Sequence, residues 1–97
     1  MTNLEALQAQ TEYENDNLLA KLLTDRGVTS GGTYAATNAK DIDLCAASLY
    51  FTLAAHPDLK EGALSIKYNP VQLIAMARII LKKWDEDEAT ITGEAII

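Results

Sequence analysis

The sequence predicts an all-α protein, a small four-helix bundle with a Gly-containing loop between helices two and three and a short extended segment before the last helix. Three observations carry this. Apolar residues recur at helical spacing in four separate segments, capping chemistry stands at the start of those segments, and Gly or Pro punctuates the ends between them. With 97 residues the chain has room for one small core and one domain. That domain is expected over residues 1–85, with 86–97 forming an acidic and then apolar C-terminal tail.

In the opening Thr2-Asn3-Leu4-Glu5-Ala6-Leu7-Gln8, Thr2 and Glu5 stand at capping-box spacing and Leu4 and Leu7 share a helical face. A short first helix follows. A second box from Thr11 to Glu14, or a cap at Asn15, precedes Leu18, Leu19, Leu22 and Leu23, whose spacing draws one apolar stripe. Gly27 after Arg26 is helix-stop chemistry, so the second helix spans about Asn15 to Arg26. Residues 28–37 (VTSGGTYAAT) show neither period and read as a flexible loop. Thr37 or Asn38 can cap the third helix, with Asp41 and Asp43 in its first turns facing the positive end of the helix dipole. The third helix runs to about Ala55, because His56 precedes Pro57 and is pushed out of the α region. Leu64, Ile66 and Tyr68 alternate with polar residues as a short extended segment would. Asn69-Pro70 then supplies an N-cap and a proline at the first helical position. The fourth helix is expected from Pro70 to about Asp85, closing on Lys82 and Lys83 before the acids Asp85 to Glu88, whose mutual repulsion opposes a longer helix.

Charge narrows the function classes. Fourteen acidic against eight basic side chains leave a net charge of −6, with an isoelectric point near 4.5. Sequence-specific nucleic-acid binding and anionic membranes are therefore poor expectations, since both require a cationic footprint. The apolar runs from Leu44 to Ala55 and from Val71 to Leu81 are shorter than the roughly 20 residues of a membrane span. A single cysteine, Cys45, and a polar, acidic start without signal-peptide character point to synthesis in a reducing cytoplasm.

No residue pattern indicates catalysis, a cofactor or a metal. His56 has no second His or Cys at ligand spacing and reads as a helix-terminal residue. Cys45 has no basic neighbour in sequence and reads as a small buried hydrophobe. Gly31-Gly32 lacks both the P-loop Lys-Ser/Thr and a GxGxxG. The run Asp85 to Glu88 lacks the alternating ligands and central Gly of a calcium loop.

The third and fourth helices are unusually poor in charge. From Ile42 to Ala55 there is only Asp43, and from Pro70 to Leu81 only Arg78. A helix apolar nearly all round requires cover on every side. The first two helices offer little, so the sequence predicts apolar surface left over for self-association, with Leu44, Tyr50, Phe51, Ile74, Leu81 and Trp84 as candidate interface residues. Packing of the same side chains into the monomer core is the competing reading.

The short LEALQ helix, the leucine-rich second helix, the Gly-containing loop, AASLYFTLAAHP, the polar GALSIKY and the final VQLIAMARIILKKW together resemble the small head-tail connector (adaptor) proteins of tailed phages and prophages, over roughly Thr2 to Asp85. The resemblance implies a structural protein without catalytic residues, whose copies form a ring at the head-tail junction around passing DNA. Portal and tail-completion proteins would be its partners and the virion its destination. Two rivals share the composition: a small acidic protein-protein interaction module or regulator unrelated to virions, such as an inhibitor that mimics nucleic acid, and an enzyme subunit whose site a partner chain completes.

Overall fold

The computed structural model, which describes residues 1–55 and 68–87, shows four helices, three of which begin on a side-chain cap that the sequence supplies, while the third continues from a 3-10 turn without one at Thr37 or Asn38. These are α1 (Asn3–Thr11), α2 (Asp16–Asp25), α3 (Ala39–Ala55) and α4 (Pro70–Lys83), with a 3-10 turn at Ala36–Asn38 leading into α3. Among the described residues there is no strand, only an isolated antiparallel bridge between Thr2 and Thr33. The all-α, four-helix class read from the sequence is the observed one. The His56-Pro57 stop and the extended segment expected before Tyr68 lie outside the described residues, as does the tail beyond Asp87.

Thr2 and Glu5 form the reciprocal capping box, Asn15 caps α2 through the Leu18 amide, and Asn69 with Gln72 forms a second box at the Pro70 start of α4. The stops are equally local. Gly27 at φ +80 closes α2, with its own amide on the Thr24 carbonyl and that of Val28 on Leu23. Those are the two hydrogen bonds of a Schellman motif, and they need a left-handed residue where glycine is least costly. At the end of α4 the same pair of bonds runs from Asp85 to Lys82 and from Glu86 to Leu81. There the left-handed residue is Asp85, at φ 53.

The third helix is the centre of the molecule. α1, α2 and α4 all pack on it, and the α4 contact is the most extensive. Ile42, Leu44, Cys45, Ala46, Ala47, Leu49, Tyr50, Phe51 and Leu53 are all buried. Leu7, Leu19, Leu23 and Leu73 reach in from the surrounding helices with no exposed surface. Burying a leucine or isoleucine fully contributes about 1.5–3 kcal/mol, so this cluster supplies the main driving force.

That arrangement corrects the interface reading for four residues. Leu44, Tyr50 and Phe51 are buried inside the chain because α3, surrounded by three other helices, needs apolar side chains all round, and Leu81 is buried on the face of α4 that packs against the core. They are core residues. The loop after α2 is corrected too, since it is pinned rather than free. Asn3, itself buried, donates from Nδ2 to the Thr29 carbonyl (2.9 Å) and accepts from Asn38 Nδ2 (3.1 Å). The backbone amides of Asn3 and Leu4 donate to the carbonyls of Gly32 (2.8 Å) and Ser30 (3.0 Å), and that of Tyr34 to the carbonyl of Met1 (2.9 Å). With the Glu5 amide donating to Thr2 Oγ1 and the Thr2 amide to Glu5 Oε1, all four amides left open at the start of α1 are satisfied. Gly32 is part of this fit: a Cβ there would lie 3.2 Å from the Thr29 carbonyl oxygen and 3.3 Å from Asn3 Nδ2.

Candidate docking surface

Helix α4 divides into two faces. Leu73, Ala77 and Leu81, spaced four apart, are buried against the core, with Ile74, Met76 and Ile80 half-buried beside them. The outer face carries Val71, Ala75, Arg78 and Ile79 in the open, Val71 at 76% and Ile79 at 69% exposure. Residues 71, 74, 75, 78 and 79 are neighbours on a helix surface. They line a shallow groove of about 500 Å³ that is apolar apart from Arg78. Among the described residues, Val71 and Ile79 are with Met1 the large hydrophobic side chains most exposed to solvent.

Of the six sequence candidates, the structure therefore brings only Ile74 to this surface. Trp84 is half-buried elsewhere. Its indole Nε1 donates to Asp43 Oδ2 at 2.8 Å, and the Lys83 ammonium lies 5.2 Å from its ring centroid. Val71, Ala75 and Ile79 are not among those six candidates. Their signal was present in the i, i+4, i+8 spacing, but nothing in the sequence says which side of a helix apolar on both sides is covered.

Around the corner of the helix lies a second hollow, of about 490 Å³, lined by Arg78, Leu81, Lys82, Asp85, Glu86 and Asp87. Arg78 belongs to both surfaces. This second one is polar and of mixed charge, unlike the groove.

A polar clasp holds α4 in place. Asp43 of α3 accepts from Gln10 Nε2 (2.8 Å), Lys83 Nζ (3.0 Å) and Trp84 Nε1 (2.8 Å), joining α1, α3 and the end of α4. Burial pushes the Asp43 carboxyl up, but the three donors outweigh it and hold its pKa below the usual carboxylate value. The sequence reading assigned Asp43 to the helix dipole. Its isolation as the one charge between Ile42 and Ala55 is the signal for a buried partner. Lys40 and Glu86 pair at 2.6 Å and add a second tie between α3 and the chain leaving α4.

The remaining chemical candidates are inert or unplaced. Cys45 is buried, its thiol donates to the Leu22 carbonyl (3.6 Å), and burial pushes its pKa up to about 12. A thiol so rarely ionised is a poor nucleophile. His56 lies outside the described residues. Among the described residues, no cluster of three or more His, Cys, Asp or Glu side chains is placed to hold a metal ion, and no helix is long and apolar enough to cross a membrane.

The fold and surface thus define a small helical domain with an apolar outer face. Over residues 1–97 the chain matches the family described as "Family of unknown function (DUF6706)", and it belongs to that family. No curated protein and no solved structure shows significant similarity to it.

Proposed function

We propose that this chain is a non-catalytic assembly subunit, a structural adaptor of the head-tail connector kind in a phage or prophage particle, and that the outer face of α4 is a surface through which copies associate into a ring. The observation that carries the reading is that face. Val71, Ala75 and Ile79 stand in water on a helix whose opposite side is firmly packed, and an exposed apolar patch on a small domain is the usual mark of an interface. The net charge of −6 supports the connector part of the reading, because a lumen that passes DNA without gripping it is best lined by acids. The sequence resemblance described above supports it as well. Portal and tail-completion proteins would then be the neighbours, and the assembled particle the final location.

Sedimentation of the full chain over a concentration series tests the proposal. Growth of species larger than a dimer is expected, and V71E/I79E should abolish it while leaving the helical circular dichroism spectrum unchanged. A chain that remains monomeric at millimolar concentration would sink the reading. Association untouched by V71E/I79E would move the interface elsewhere.

A further inference from the structure

The groove on α4 has a counterpart where α1 begins. Thr2 and Thr33 form an antiparallel bridge, so Met1 stands opposite Tyr34, and the Tyr34 amide donates to the Met1 carbonyl (2.9 Å). Residues opposed in this way carry their side chains on one face, roughly 5 Å apart. Tyr34 is half-buried and Met1 is 67% exposed. The backbone beneath the pair is held by the Asn3 and Leu4 amides on the carbonyls of Gly32 and Ser30, and by Asn3 Nδ2 on that of Thr29. A thioether and a phenol ring on a fixed backbone make a knob that loses little freedom on binding, and both residue types are enriched at protein interfaces.

Within one chain the knob and the groove do not cover each other, since Met1, Val71 and Ile79 all stand in water. Their chemistry is complementary. The groove is apolar with one cation, Arg78. The knob is apolar with an anion beside it, the exposed Glu5, whose carboxylate accepts from the Thr2 amide (2.7 Å). The Tyr34 ring is a further partner for a guanidinium. Symmetry calls for such a pair: contact between identical patches closes as a dimer, whereas a ring joins two different patches on every copy.

We infer that the groove on α4 receives the knob formed by Met1 and Tyr34 of the next copy, with Arg78 meeting Glu5 of that copy. This names the partner of the α4 face, and it rests on the assembly reading above.

Complementation between full-length variants tests it, at a concentration where the native chain associates. Y34E spoils the knob and V71E/I79E the groove, and each should weaken self-association about tenfold or more. An equimolar mixture of the two should nevertheless form a heterodimer, because one chain keeps an intact groove and the other an intact knob. A mixture that stays monomeric would overturn the proposal. Tyr34 also packs against the core, so circular dichroism accompanies each variant and cross-linking supplies an independent measurement. Cys45 is buried, which leaves an added thiol to report its own surroundings. On oxidation, Y34C chains mixed with I79C chains should give the mixed disulfide well ahead of either symmetric one. A symmetric I79C disulfide in excess would make the same face of a second copy the occupant and overturn the knob. The two readings fail separately. Association through Val71 and Ile79 that Y34E leaves at native strength refutes only the knob, whereas a native chain that stays monomeric at millimolar concentration refutes the assembly itself.

Discussion

Replacing Asp43 by alanine removes the acceptor shared by Gln10, Lys83 and Trp84, and its cost can be worked from the three bonds. The Asp43 side chain is 13% exposed and that of Lys83 is 63% exposed. Lys83 regains water when released and contributes less than about 1 kcal/mol, as exposed ion pairs do. Trp84 and Gln10 hold the larger share, since hydrogen bonds to a charged group are worth about 1.5–3 kcal/mol, less whatever their donors recover from solvent. A total loss of about 2–4 kcal/mol follows, which for a domain of this size lowers the melting temperature by roughly 10–25 °C. Urea unfolding followed by circular dichroism measures it. The acidic limb supplies an independent check. Because the folded-state pKa of Asp43 is lowered, its ionised form contributes stability that is present above the unfolded carboxylate pKa of about 3.9 and is lost as pH falls through the lower folded value. The advantage of the native chain over D43N should therefore hold at pH 7 and shrink below about pH 4. A D43A penalty under about 0.5 kcal/mol, the scatter of an ordinary surface change, or a D43N gap that does not vary between pH 7 and 3, would refute the clasp as a stabilising element.

Three further outcomes follow from the packing. F51D or L81D should leave the chain unfolded at room temperature, because each places an unpaired charge in the core; a cooperative thermal transition in either variant would return that residue to the surface. Cys45 should resist a thiol reagent at pH 8 until denaturant is added, given its burial and its pKa of about 12, and prompt labelling of the native chain would contradict its placement. D85G should raise stability by about 1 kcal/mol, since glycine relieves the left-handed strain at φ 53; a loss on chemical denaturation would mean that the Asp85 side chain contributes more than its backbone costs.

The helix starts were legible because capping is decided within four residues. Thr2 with Glu5, Asn15 with Leu18 and Asn69 with Gln72 each make their bonds inside one turn, so their residue types and spacing suffice. Gly27 was legible for the same reason. α4 ends at Lys83, two residues before the Asp85 expected from the sequence, which shows that four acids lie beyond the lysines but not that Asp85 itself takes the left-handed conformation. The pinning of the loop was not legible. Asn3, Thr29 and Asn38 are far apart in sequence, and small polar residues at such distances carry no sign that they will meet.

The docking surface was half legible. Composition showed that α3 and α4 together hold more apolar surface than a four-helix chain easily covers, but not which helix would be surrounded. Local order alone therefore determined the class, the helices and most of their boundaries. The tertiary structure decided that α3 is the buried centre, that Leu44, Tyr50, Phe51 and Leu81 are core, and that Val71, Ala75 and Ile79 are left in water. It also joined Asp43 to Lys83 and Trp84 across forty residues of chain. The physical reason is one of range: backbone hydrogen bonds and caps close over a few residues, whereas burial depends on which distant segments arrive on each face.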